Sequence, residues 1–173
     1  VVALPSDGDT EPPHAENEAL TDADGRFELW LSAGDHQLIA HGQGRQRNAP
    51  MTVSVATGGA AEVALSIGER ARVTVAVTGA GEAGSLPVAV NLVAISGQGP
   101  DPRLGQSAPH GQSHVVWTGP GLDTFEVAPG VYDVIISHGP EFDRLVMAGV
   151  SLSDGMTLEG TLSRVITPGG HVG

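Results

Sequence analysis

The sequence predicts an all-β chain built as two tandem antiparallel β-sandwiches. Three observations carry this: apolar residues alternate with period two, Gly and Pro punctuate the chain at short intervals, and one strand-turn-strand pattern occurs twice. Period two places one set of side chains on a buried face and the next outward, as in half-buried antiparallel strands. No stretch of a dozen residues has helical apolar spacing between a cap and a stop, and 25 Gly and 12 Pro would interrupt most helices.

Taken in order, Val1-Val-Ala-Leu4 opens the chain inside a strand. Phe27, Leu29 and Leu31 alternate with Glu28 and Trp30, which predicts a strand with Trp30 on its outer side. Val73, Val75 and Val77 alternate with Arg72, Thr74 and Ala76, and Val88, Val90 and Leu92 with Ala89, Asn91 and Val93. Asp24-Gly25, Ala33-Gly34, Gly58-Gly59, Pro129-Gly130 and Asp154-Gly155 supply the tight-turn positions between such runs. Setting Gly34 on Gly130 brings His36 to Tyr132, Leu38 to Val134 and Ala40 to Ile136. With one residue inserted, Val53-Ser-Val-Ala-Thr-Gly58 meets Val150-Ser-Leu-Ser-Asp-Gly155, and Leu65 meets Leu162. A spacing this long exceeds a solenoid unit and predicts two domains, 1–68 and 69–166, with 167–173 as a linker.

Composition narrows the function. Aromatics make up 3% of the chain, so the cores rest on Val, Leu, Ile and Ala. There is no Cys, hence neither a disulfide framework nor a thiolate metal site. No apolar run is long enough to span a bilayer as a helix. The net charge of −12, with no Lys, argues against nucleic acid, because a phosphate binder needs a basic stripe. Arg in place of Lys is what a GC-rich genome produces and carries no function. Arg45 with Arg47 and Arg70 with Arg72 read as solvated strand or loop positions.

Three patterns touch on chemistry. Asp22-Ala-Asp24-Gly25 has the spacing that opens a calcium loop, but the twelfth position is Ala33 and strands flank it, so a polar hairpin turn is the reading. The seven His are scattered and read as solvent-facing; His110 and His114 form the closest pair, in a Pro/Gly-rich segment where no helix would align their rings. No nucleophile elbow and no phosphate-cradling loop is present. The segment 96–113 is long for a loop without a role. It is therefore the leading contact surface, which makes His110, His114, Trp117 and the outward Trp30 the candidate site residues. No residue is assigned to catalysis, to a cofactor or to a metal.

Thr21-Asp-Ala-Asp-Gly-Arg-Phe27, Ser32-Ala-Gly34 and Val53-Ser-Val-Ala-Thr-Gly-Gly-Ala-Ala-Glu-Val-Ala-Leu65 resemble the carboxypeptidase regulatory-like, transthyretin-type β-sandwich over residues 1–68. That family has one more strand before the segment matching Val1-Val-Ala-Leu4, so the resemblance implies a first module cut within its fold. Residues 70–173 resemble the accessory region of PHP-type metallohydrolases of the carbaryl-hydrolase-like branch. The matching order is Ala128-Pro-Gly-Val-Tyr132, Ser137-His-Gly-Pro-Glu-Phe142, Val150-Ser-Leu-Ser-Asp-Gly155 and Leu162-Ser-Arg-Val-Ile-Thr-Pro-Gly-Gly-His-Val-Gly173. His138 stands where that family has Arg, Phe142 where it has Tyr, and His171 near an aromatic position. The resemblance implies that a C-terminal catalytic domain of the same chain, opening on His-x-His and holding zinc, manganese or iron, would be the partner. It also implies a bacterial, periplasmic or extracellular setting. The other reading is an independent binding or adhesion module of an exported protein, recognising carbohydrate or a protein surface through Trp30 or the 96–113 loop.

Overall fold

The structure is a computed structural model that describes residues 1–5, 17–42, 44–96 and 115–166. Among these residues the chain is all-β, with no helix. The strands in chain order are β1 (Val2–Pro5), β2 (Asn17–Glu18), β3 (Gly34–Ile39), β4 (Met51–Val55), β5 (Ala71–Gly79), β6 (Ala89–Ser96), β7 (Val115–Trp117), β8 (Asp123–Val127), β9 (Gly130–Ser137), β10 (Arg144–Leu152) and β11 (Thr157–Leu162). They form three sheets, ordered β2-β1-β3-β4, β10-β9-β6-β7 and β11-β5-β8.

The second and third sheets close on each other as a sandwich. Alternation in β5 turns Ala71, Val73, Val75 and Val77 inward, while β6 contributes Val90 and Leu92 and β9 contributes Tyr132, Val134 and Ile136. Phe125 and Val127 of β8 and Leu158 and Leu162 of β11 complete the layer. Most of these side chains are β-branched or aromatic, types that fit a pleated, half-buried surface. β11 runs parallel to β5, with Leu158 opposite Val75 and Leu162 opposite Gly79. The chain reaches it by crossing between sheets at the turn after β10. There the Asp154 carboxylate accepts from Arg72 N at 2.8 Å and Gly155 N donates to Arg72 O at 3.0 Å. A bulge between Met147 and Val150 bends β10, and the Asp133 carboxylate accepts the Gly149 amide there at 2.9 Å.

The first sheet repeats the four-stranded sheet of the sandwich. Its order β2-β1-β3-β4 corresponds strand for strand to β7-β6-β9-β10. The registers correspond too: Gly34 lies opposite Val55 and His36 opposite Val53, as Gly130 lies opposite Leu152 and Tyr132 opposite Val150. Third residue in each of the leading strands, His36 and Tyr132 make the same bond. The Tyr132 hydroxyl donates to Ala128 O at 2.8 Å and the His36 Nε2 meets Ser32 O at 2.9 Å, each four residues upstream. A buried ring tied back to its own corner is a known device of Greek-key sandwiches.

Two expectations change. His36 is not solvent-facing; it is 3% exposed, because its place in the repeat points it into the layer that Tyr132 occupies in the second half. His41 is also withdrawn from water: burial first, then the Val1 ammonium and Arg47, holds its imidazole below the ordinary value against the opposing pull of Glu18. Residues 27–31 do keep the expected alternation, with Phe27, Leu29 and Leu31 partly buried and Glu28 and Trp30 exposed. They belong to no strand, however, because no described strand lies alongside to pair with them. Leu29 and Leu31, with Val55, Val63 and Leu65, pack instead on Ala3, Leu38 and Val53. On the other face of the same sheet Val2, Leu4 and Ile39 make a separate buried cluster, which fits the unbroken apolar run at Val1-Val-Ala-Leu4.

Candidate contact surface

Of the four candidate residues, His110 and His114 lie outside the described residues, and so does the segment 97–114. The two indoles are described, and both face water. Trp30 is 81% exposed; its own carbonyl accepts the Asn17 side-chain amide at 2.8 Å. Trp117, 73% exposed, ends β7. It sits opposite Ala89, one residue from the inward Val116 opposite Val90, so it stands on the outer face of the four-stranded sheet. Trp30 belongs to no strand, whereas Trp117 stands on the four-stranded sheet of the sandwich.

Trp117 borders a shallow cleft of about 340 Å³ lined by Pro87, Val88, Ala89, Thr118, Ser137 and His138. Thr118 closes its floor, donating its amide to Val88 O at 2.9 Å and accepting the Val88 amide on its hydroxyl at 2.9 Å. The His138 Nδ1 is held against Pro87 O. His138 also packs edge-on to Phe142, with centroids 4.8 Å apart and planes at 76°. Beyond it the Arg164 guanidinium lies 4.8 Å from the centre of the Phe142 ring. Glu82 at 3.1 Å and the Glu141 carboxylate fix that Arg. The His138–Phe142–Arg164 stack thus ties the turn after β9 to the segment after β11. Sequence reasoning marked these residues only as parts of a resemblance, since their partners are brought together by sheet pairing rather than by spacing.

The same outer face carries Val93, Ile95 and Val146, all exposed. Val93 lies opposite Asp133, and Val146 opposite Ile135. Together with Trp117 they put four exposed apolar side chains on the outer side of a sheet whose inner face is core, with Asn91 and Asp133 among them. Clusters of exposed apolar side chains are found where another surface docks.

The cleft lining is largely apolar; its polar side chains are Thr118, Ser137 and His138, and the His138 Nδ1 is held by the Pro87 carbonyl. Among the described residues no three His, Asp or Glu side chains group closely enough to hold a metal. A divalent zinc, manganese or iron ion therefore finds no ligand set in the described part of the chain. Asp22, the head of the calcium-like pattern, spends its carboxylate within its own turn. It accepts from Asp24 N at 2.9 Å and Arg26 N at 2.8 Å while Gly25 takes a φ of 79°. Asp22→Ala is expected to destabilise the chain by about 1 kcal/mol through loss of these bonds, read by urea denaturation, whereas millimolar calcium should leave the unfolding temperature of the parent chain unchanged. A rise in that temperature with calcium would contradict the turn assignment. Arg70 and Arg72 are solvated as expected and both reach Glu126, at 2.9 Å and 3.6 Å, whereas Arg45 and Arg47 are half-buried, with Arg45 donating to Gly68 O at 3.2 Å.

Compared with known proteins, the chain matches no family model, no curated protein and no solved structure.

Proposed function

We propose that the chain is a non-catalytic accessory region of a larger PHP-type metal-dependent hydrolase acting on a phosphoester, amide or carbamate, composed of two β-sandwich domains that prop and dock the catalytic domain. The observation that carries this reading is the set of exposed apolar side chains Trp117, Val93, Ile95 and Val146 on the outer side of the four-stranded sheet. It offers a docking surface beside a largely apolar cleft. The sequence order from Ala128-Pro-Gly-Val-Tyr132 to Leu162-Ser-Arg-Val165 supports the same parent. In the fold, the first of these segments is the corner of β9 and the last reaches Phe142 through Arg164.

The metal belongs to the partner domain in this reading, and water activation would occur there. The decisive test is the reading frame beyond Gly173: Asp or Glu followed by His-x-His supports the proposal, and a further β repeat, an anchor or a stop overturns it. Residues 1–173 alone should hydrolyse no phosphoester, amide or carbamate with zinc, manganese or iron added.

A second reading, a binding module for carbohydrate or a protein surface in an exported protein, is favoured by the two exposed indoles. Because Trp30 and Trp117 are the only tryptophans, fluorescence reports on both directly. In the free chain both should be quenched by acrylamide nearly as well as free indole, and Trp30→Phe or Trp117→Phe should change stability by less than about 0.5 kcal/mol. A blue shift on adding an oligosaccharide panel, lost in one of the two variants, would select the binding module over the accessory region.

A further inference from the structure

Resting on the carbohydrate-binding reading above, we propose that the cleft beside Trp117 takes one neutral pyranose ring, stacked on the indole with its hydroxyl rim against Ser137 and His138.

Sheet register builds the site. Trp117 lies opposite Ala89 and Ala89 opposite Ser137, so three neighbouring strands set these residues in one row. The row is on the outer face, because Val88 and Val90 on either side of Ala89 point into the core. Two inter-strand steps separate the backbones of Trp117 and Ser137, about 9–10 Å. Between them stands a single methyl group, since Ala89 is 6% exposed and forms the floor. The result is a trough with an aromatic wall on one side and a hydroxyl on the other. Its volume of about 340 Å³ is at the small end for ligand sites and suits one ring. Both ends are fixed: Thr118 is tied to Val88, and His138 is packed on Phe142 beneath Arg164. Arg144, opposite Ser137 on its far side, is not part of the lining.

The lining selects the ligand class. None of the described residues that line the cleft is Asp, Glu or Arg, so an ionic ligand finds no counter-charge. The chain's net charge of −12 repels anions further. Two polar atoms are open to a ligand. The Thr118 hydroxyl is spent on Val88, accepting its amide and donating to its carbonyl. Among the described residues, however, neither Ser137 Oγ nor His138 Nε2 has a hydrogen-bond partner. A carbonyl only accepts, so the contact with Pro87 O places a proton on His138 Nδ1. In the neutral ring Nε2 is then a lone-pair acceptor and needs a donor. A proline ring or an aliphatic group supplies none. A pyranose has an apolar C–H face for the indole and hydroxyls that donate to Nε2 and exchange with Ser137. Trp30 provides the contrast, equally exposed but borne on no strand.

The test is a titration of the 15N-labelled 173-residue chain with cellotriose, xylotriose, mannotriose and galactotriose. The two indole N–H signals are assigned with Trp30→Phe and Trp117→Phe. At least one sugar should shift the Trp117 indole and the Ala89 and Ser137 amides saturably, with a dissociation constant of about 1 mM or below. Trp117→Ala should weaken binding at least about tenfold, as loss of an aromatic anchor does, while Trp30→Ala leaves it unchanged. His138→Asn keeps a donor for Pro87 but removes the acceptor, and should weaken binding about fivefold. Unaltered signals from β1, β3 and β5 show that each variant is folded. Shifts confined to Trp30 would overturn the cleft as the site while leaving the carbohydrate reading standing. No shift anywhere with any of the four sugars at tens of millimolar would sink both. Tighter binding of an acetylated triproline than of every sugar would make the cleft a polyproline groove and overturn the assignment.

Discussion

Tyr132→Ala should destabilise the chain by about 3–5 kcal/mol, the range for truncating a large buried ring, and Tyr132→Phe by about 1 kcal/mol through loss of one buried hydrogen bond. Tyr132 is 0% exposed and sits between the two layers of the sandwich, with its hydroxyl on Ala128 O. The truncation removes the anchor of the β8–β9 corner together with contacts in the main cluster, so urea denaturation should shift to a lower midpoint. The conservative variant carries a sharper signature. Burial pushes the Tyr132 phenol above its ordinary value of about 10. The folded state then holds the phenolic proton more tightly than the unfolded state does. Its contribution is fully present below pH of about 10 and is lost as pH rises through the folded value, because the unfolded chain ionises first. With a single Tyr, no Lys and no Cys, no other side chain of ordinary pKa titrates in that window. The alkaline loss of stability should therefore flatten in Tyr132→Phe. Tyrosinate absorbance should appear in the folded chain only above the pH at which the unfolded chain shows it. Native titration at the ordinary value would mean that the phenol is solvated, and the corner assignment would fall.

Much of this arrangement is legible in the residues, for a definite physical reason. A buried face imposes period two, so the inward sets at Val73, Val75, Val77 and at Val88, Val90, Leu92 can be read from alternation alone. The repeat goes further: setting Gly34 on Gly130 pairs His36 with Tyr132, and the structure gives these two the same burial, the same register and the same bond to a carbonyl four residues back. What could not be read is pairing between distant segments. Nothing local tells β11 to lie parallel to β5, or brings Pro87 to His138 and Glu82 to Arg164. Residues 27–31 show the limit from the other side. Alternation marks them as strand-like, but a ladder needs a neighbour, and alternation says nothing about whether one is there. The exposed apolar face around Trp117 is legible only in part for a related reason: alternation turns Val93 outward, but that Val146 of β10 shares its face follows from sheet pairing.

Gly44→Ala should cost about 2–4 kcal/mol, combining the penalty for a side chain in the left-handed region with overpacking of a close contact. Gly44 has a φ of 63°, and a Cβ there would stand 2.6 Å from the Glu126 carbonyl carbon and 2.8 Å from its oxygen. The obstacle is β8 backbone, which cannot rotate away as a side chain would. This contact is part of a seam between the first half and the sandwich. Gln46 donates its side-chain amide to Pro129 O at 3.1 Å, Gln46 N donates to Glu69 O at 3.0 Å, and Arg45 forms a β-bridge with Arg70. Pushing Gly44 off Glu126 should loosen all three together. Gly25→Ala is the matching control, because Gly25 has a φ of 79° with open space around its Cβ position; it should cost about 1 kcal/mol from strain alone. Amide hydrogen exchange across a urea series, read at β1 and β3 for the first half and at β5 and β9 for the sandwich, follows each half separately. Their transitions should coincide in the parent background and separate with Gly44→Ala, the first half melting earlier. If Gly44→Ala instead costs no more than Gly25→Ala and leaves the transitions coincident, the close approach of residue 44 to β8 does not couple the halves, and the seam must be held by the Gln46 and Arg70 contacts alone.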